Sequence, residues 1–443
     1  MNRTEFLKNV TLMSLGIGLT NSITFGFVKK NKYKIGIIGA GISGLYLAKV
    51  LKQQGHIVTI LEAKNRAGGR IVENTDFYKN PIDLGAQWIH GKNELYKLVK
   101  QSHTPIYQDK KNDTIKVAYG NMLNDDFPIK FYQFLKEVKK NTPLDVDMSV
   151  LDFARKFNSD SEFTELIESA LTDTATKAAN FSINEISKLT NKLKTIDYQF
   201  SNTTMYGFIN KNYIEELKDE IIYNFQVNSI DYTKQVIVVS NDTGLSHEFD
   251  KIIVTIPITE LKSKKIQFAP DLPSEKWEAF NKIGMDKGLK LFLKFQKQFY
   301  SHGVFNGRSA GYYIDPTKLD STGNSLLASL IMGNNAEKYY NNPSKGIESY
   351  LNELDIFFNG QASRYFIDAF AQDWGNENYI NGVYSYTKVG GQSARAVARK
   401  SITNKLFFAG EAMNTSRNYG NVHGAIESAM DVLKELNRQN ASS

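Results

Sequence analysis

Three glycines, Gly39, Gly41 and Gly44, close the apolar run of KIGIIGAGISG at residues 34–44 and open the amphipathic stretch ISGLYLAKVLKQQG. Their chemistry is that of main chain: Gly39 permits a tight strand-to-helix turn, Gly41 lets the backbone approach a pyrophosphate, and Gly44 lets helix pack on strand. The first amides of the helix then face the phosphates. A second apolar run, HIVTIL, ends in Glu62, 18 residues past Gly44, where a carboxylate would meet a ribose hydroxyl. This spacing predicts a dinucleotide-binding βαβ unit. Arg66, Gly68, Gly69 and Arg70 follow at once in AKNRAGGR, and DLGAQWIHG runs from Asp83 to Gly91.

Other chemistries are excluded by what the chain lacks. It has no cysteine, so disulfides, thiolate metal sites and cysteine nucleophiles are ruled out. Its six histidines show no HExxH or other ligand spacing, and no metal site is expected. No GxSxG elbow or paired-carboxylate motif is present. The net charge of +7 comes from 54 basic and 47 acidic residues without a compact basic stripe interleaved with aromatics, so no nucleic-acid partner is expected.

The run ExxxRxGGR followed by DLGAQWIHG resembles the flavin amine oxidase superfamily, and further blocks recur in the family's order. FQVNSIDYTKQVIVVS and FDKIIVTIP are similar to its adenine-side strand pair, closed by Pro257. IGMDKGLKLFLKF is similar to the strand carrying its flavin-facing lysine, DWGNENYINGVYSYTKVGG to its tryptophan-glycine and SYSY segment, and LFFAGEAMNTSRNYGNVHGAIESA to its closing flavin-binding block. The resemblance implies FAD as cofactor, bound non-covalently. A cysteine precedes the flavin-facing tyrosine in the monoamine oxidases, whereas Val383 precedes Tyr384 here.

Carried over residue by residue, the resemblance implies that FAD meets Gly39, Gly41, Gly44, Glu62, Arg66, Gly69, Arg70, Gln87, Trp88, Val227, Trp374, Glu411, Val422 and Ala425. Glu411 would bond the ribityl chain, and the helix after Asn421 would aim its first amides at the flavin N1 and O2 side. The implied reaction moves a hydride from an amine α-carbon to flavin N5. Water then hydrolyses the imine, and oxygen takes the electrons to give hydrogen peroxide. The partners are therefore a small-molecule amine and O2.

Lys290, Tyr384 and His90 are the implied catalytic residues. In GLKLFLKF the alternation of Leu289, Leu291, Leu293 and Phe295 with Lys290, Phe292 and Lys294 by itself predicts an exposed strand face for the lysine. By resemblance, Lys290 instead holds a water near flavin N5. Tyr384 would form an aromatic wall over the flavin. Opposite it, Asn421 stands where many relatives carry a second aromatic, so Tyr384 and Asn421 would both meet substrate without a two-tyrosine cage. His90 and GVYSYTKVG are nearer the polyamine oxidase branch, and Glu162, Glu165, Glu168 and Asp173 are candidates for matching a polyamine's ammonium groups. An L-amino acid oxidase remains an alternative, kept open by Arg395 and Arg417, as do a flavin-dependent desaturase and a non-catalytic FAD-bound protein.

The resemblance implies an α/β chain with a Rossmann-type FAD-binding domain and a discontinuous α+β substrate-binding domain. Residues 32–95, 205–262 and 374–437 are assigned to the first, and 96–204, a polar helical insert, and 263–373 to the second. Residues 1–31 read as a signal-like or membrane-anchor segment. MNRTEFLK resembles a twin-arginine leader with Thr4 in place of the second arginine, and about 19 weakly apolar residues follow before Lys29, Lys30 and Lys32. The expected location is exported, periplasmic or membrane-anchored, with the cytoplasm as the alternative.

Overall fold

The strand Lys34–Ile38 pairs in parallel with Ile57–Leu61 on one side and Lys251–Val254 on the other. Ile221–Ile222 and Leu406–Phe408 complete a five-stranded parallel sheet at its two edges. The structure is a computed structural model that describes residues 32–109, 115–119, 122–123, 127–170, 176–189, 196–300, 304–307, 311–317 and 323–442. The segment 1–31 and Asp173 lie outside these residues.

Parallel strands need crossovers and therefore have both faces covered, which is why their sequences read as continuous apolar runs. Ile35 and Ile37 point into a core shared with Leu45, Ala48 and Leu51 of the helix Ile42–Gln53 and with Ile426 and Ala429 of the C-terminal helix Val422–Ser442. Ile38 points the other way, toward Val254, Phe249 and Phe408. The expected βαβ start is thus present. Strands drawn from residues 34 to 408 meet in one sheet.

A second sheet of seven strands is ordered Phe366–Asp373, Gly288–Phe295, Ser325–Met332, Gly311–Ile314, Val304–Gly307, Ile115–Tyr119 and Met122–Leu123. Leu289, Leu291, Leu293 and Phe295 pack under Tyr350, Leu354, Phe357 and Phe358 of the helix Pro343–Phe358. The alternating face of Lys290, Phe292 and Lys294 is not exposed. Segment 77–87 covers it, so Lys290 is 1% exposed and Lys294 donates to the Phe77 carbonyl at 3.1 Å. The periodicity was correct and its interpretation was not, because alternation reports two chemically different faces rather than which face meets water.

The insert is helical as expected over Phe127–Asn141, Val150–Phe157, Ser161–Ala170 and Ile183–Leu189, but it also contributes strands. Asp197–Phe200 lies between Ile89–His90 and Ile106–Asp109 in an antiparallel sheet of three. No helix among the described residues is long and apolar enough to cross a membrane.

Candidate active site

At the carboxyl end of the parallel sheet Gly39 takes φ +103°, a conformation open to glycine. A Cβ on Gly44 would stand 2.1 Å from the Gly39 carbonyl oxygen, so helix and strand touch there as a larger residue would forbid. A Cβ on Gly41, by contrast, would meet nothing within 4 Å. Packing does not require that glycine. It keeps open a cradle in which a phosphate can reach main chain, so the residues present fit a dinucleotide.

Glu62, at the end of its strand, accepts the Ala40 amide on Oε2 at 2.6 Å and the Lys64 amide on Oε1 at 2.9 Å. Burial raises its pKa, against the pull of those amides and of Arg66 and Lys64. The carboxylate therefore also fixes the glycine loop. The Gly68 amide donates to the Ala40 carbonyl at 2.8 Å, Arg66 Nη1 donates to the Gly69 carbonyl at 2.9 Å, and Gly41 and Gly68 form a β-bridge. Val227 begins the strand that leaves this region, two residues after Phe225, whose amide donates to the Glu62 carbonyl at 2.8 Å.

The other end of the site is built on segment 83–87. Lys290 Nζ donates to the carbonyls of Asp83 at 2.7 Å and Gly85 at 3.1 Å, and to the side-chain oxygen of Gln87. Trp374 Nε1 donates to the Leu84 carbonyl at 3.1 Å. A Cβ on Gly85 would strike the Arg70 carbonyl at 1.8 Å, which brings Arg70 against the same segment. Burial lowers the pKa of Lys290, opposed by the charge of Asp83. It raises that of Asp83, opposed by Lys290 and by the Met205 and Tyr206 amides. Each group is pushed toward its neutral form by desolvation.

Arg70 reaches onward. Its Nη1 donates to the Val383 carbonyl at 2.9 Å and to Glu411 Oε1 at 3.0 Å. Glu411 Oε2 accepts the Ser385 hydroxyl at 2.6 Å and the Gly420 amide at 2.8 Å. Burial would raise the Glu411 pKa, but Arg70, Arg395, Ser385 and Gly420 together hold it below the ordinary carboxylate value. Gly420 lies beneath the Tyr384 ring, 3.1 Å from an added Cβ to Cδ2. Asn421 follows, its Nδ2 on the Tyr419 carbonyl at 3.2 Å, and Val422 starts the last helix with the Ala425 amide on the Asn421 carbonyl at 3.1 Å.

His90 stands opposite Asp197 in strand register, with Nδ1 3.0 Å from Oδ1. The histidine side chain is 39% exposed and the aspartate 6%. Its ring lies 6.3 Å from that of Trp88 and 6.4 Å from that of His423, next to the helix start at Val422.

The family model of flavin containing amine oxidoreductases matches residues 42–432. The chain belongs to that family. As such it is a FAD-dependent oxidoreductase acting on amines. Without cysteine, it holds the flavin without a thioether bond. It is 27% identical to "Probable polyamine oxidase 4" of Arabidopsis thaliana across 91% of this chain and 86% of that protein. Wild-type putrescine oxidase bound to putrescine superposes with a TM-score of 0.79 at 18% identity, covering 92% of this chain and 99% of that one. Cyclohexylamine oxidase from Brevibacterium oxydans gives 0.78 at 19% identity, covering 92% of this chain and all of that one.

For this amine oxidoreductase, the fold gathers the sequence-derived residues into two joined groups. Gly39, Gly41, Gly44, Glu62, Arg66 and Gly69 lie together at the carboxyl end of the parallel sheet. Arg70, Gln87, Trp374, Lys290, Glu411, Tyr384, Asn421, Val422 and Ala425 are linked through segment 83–87 and Glu411, with Trp88 and His90 at the helix start. Glu168, a candidate for an ammonium group, accepts the Ala178 amide on Oε2 at 2.8 Å. Arg395 and Ser385 bear on Glu411, and Asp197 on His90. Ser385 lay inside the quoted GVYSY segment. Asp197 had no local signal, because its partner is 107 residues away.

Proposed function

We propose that this amine oxidoreductase oxidises a polyamine or a related primary or secondary amine, with O2 as electron acceptor and hydrogen peroxide as product. The similarity to a protein named as a polyamine oxidase and to a putrescine-bound enzyme supports that substrate class. The observation that carries it within this chain is the pair of His90 and the buried Asp197 beside Trp88 and His423. A carboxylate behind a half-exposed imidazole gives one end of the site a negative charge suited to a second ammonium group.

Bound FAD supplies the hydride acceptor. In our reading Gly41 and the first amides of the helix Ile42–Gln53 bind the pyrophosphate, and Glu411 with Arg70 orients the ribityl chain. The Tyr384 ring aligns the amine. Lys290, whose pKa burial lowers to about 8 and whose Nζ donates to Asp83, Gly85 and Gln87, moves a proton there or exchanges one of those contacts for a water. Arg395, one of the two arginines on which the L-amino acid alternative rests, has its Nη1 engaged by Ser385 and Ala412. Residues 32–95, 205–262 and 374–437 are read as the FAD-binding half, and residues 1–31 as an export signal or anchor.

Peroxidase-coupled detection of hydrogen peroxide from the purified, FAD-loaded protein tests the reading across spermine, spermidine, putrescine, tyramine and L-amino acids. Turnover of the first three and not of the amino acids is expected. Turnover confined to amino acids would overturn it.

A further inference from the structure

Arg395, on the short helix Ala394–Arg399, is 5% exposed and lies 3.7 Å above the Tyr419 ring. Its Nη1 donates both to the Ser385 hydroxyl at 2.9 Å and to the Ala412 carbonyl at 2.7 Å. Each of these contacts bears on Glu411. The Ser385 hydroxyl donates to Glu411 Oε2 at 2.6 Å, Ala412 is the next residue along the chain, and Tyr419 precedes Gly420, whose amide donates to the same Oε2 at 2.8 Å. Arg70 meets Oε1 from the opposite side at 3.0 Å.

Arg395 Nε and Nη2 are buried without a hydrogen-bond partner among the described residues. Unpaired buried donors of a charged group cost stability, a cost that the Tyr419 ring and the carboxylates of Glu411 and Glu185 offset. Its three contacts converge on the surroundings of one carboxylate.

We propose that Arg395 is a positioning residue for cofactor binding, acting through Ser385, Ala412 and Tyr419 to hold Glu411 ionised and oriented toward the ribityl chain. The proposal rests on the reading of Glu411 as a cofactor contact. A serine hydroxyl has one proton, and with Arg395 donating to its oxygen that proton is directed to Glu411. Glu185, buried and accepting the Tyr419 hydroxyl at 3.1 Å, also bears on Arg395, so the two guanidiniums of Arg70 and Arg395 stand among the two carboxylates of Glu411 and Glu185.

The test measures the FAD dissociation constant of the full-length apoprotein by flavin fluorescence from pH 5.5 to 8 for wild type, Arg395→Met, Arg395→Lys, Ser385→Ala, Glu411→Gln and Arg395→Met/Glu411→Gln. Arg395→Met should weaken FAD about tenfold, with the loss growing as pH falls because Glu411 then takes up a proton. Arg395→Lys should recover part of it. The double variant should bind no more weakly than Glu411→Gln alone, since the arginine acts through the carboxylate. Ser385→Ala leaves the guanidinium in place and should show a smaller loss of the same pH form, which serves if Arg395→Met does not fold. Losses that are independent of pH and additive with Glu411→Gln would overturn the proposal. Unchanged binding by Glu411→Gln would instead overturn the cofactor role of Glu411 on which it stands.

Discussion

Lys290 Nζ lies 2.7 Å from the carbonyl oxygen of Asp83, a residue 207 positions earlier, and this contact binds the strand Gly288–Phe295, second in the large sheet, to the segment running into Gln87 and His90. The lysine is held by three oxygens on one short stretch of chain, so its position is set by main chain as much as by its own strand.

Replacing Lys290 with Met keeps length and apolar volume but removes the protonatable nitrogen. The variant should fold and retain FAD with its yellow absorbance, while amine-driven turnover falls about 100-fold, the scale of a lost proton-transfer group. Steady-state peroxide release together with flavin absorbance checks both halves. Undiminished turnover would remove Lys290 from the reaction.

Gly41 and Gly44 are three residues apart and should respond differently to Ala. Gly44→Ala places a methyl 2.1 Å from the Gly39 carbonyl and should destabilise the protein by several degrees or prevent folding. Gly41→Ala meets no protein atom and should leave the melting temperature of the apoprotein unchanged while weakening FAD. Thermal melts with and without FAD distinguish these; equal destabilisation of both apoproteins would contradict the cradle.

Asp197→Asn preserves the shape of the His90 contact and removes its charge. If this pair reads a second ammonium group, KM for spermidine should rise about tenfold, the effect of about 1.5 kcal/mol lost from a charged hydrogen bond, with little change for a monoamine such as tyramine. A parallel rise for both amines would show that the pair only supports the fold.

Glu411 has a folded pKa held below its unfolded value. Its carboxylate therefore contributes stability that is fully present above the unfolded value and is lost as pH falls toward the folded one. Wild-type melting temperature should drop on acidification below about pH 4.5, and Glu411→Gln should show a shallower drop over that range after starting lower. Parallel curves for the two proteins would assign the acid sensitivity to other carboxylates.

Local rules explain what was legible in the sequence. Gly39, Gly41, Gly44 and Glu62 sit within one βαβ unit, where main-chain geometry and short loops dictate spacing, so their roles in the turn were readable from order alone. The same holds for the closing helix, whose start at Val422 follows directly on Gly420 and Asn421. Resemblance added Lys290, where periodicity alone pointed to water.

What tertiary structure decided is the set of partners drawn from distant chain. Alternation along GLKLFLKF separates two faces, but only the approach of segment 77–87 makes the Lys290 face a buried one. His90 acquires Asp197 through a strand pairing across the insert, and Glu411 acquires Arg70 from 341 residues away. Such pairs leave no periodic trace, because each side chain is chosen by a neighbour that chain order does not reveal. The sequence by itself determined the dinucleotide cradle, the absence of thiol chemistry and the kinds of residue available to the site. Tertiary packing determined which of those residues lost their water, and desolvation is what moves Lys290 toward neutrality and makes the charge around Glu411 matter.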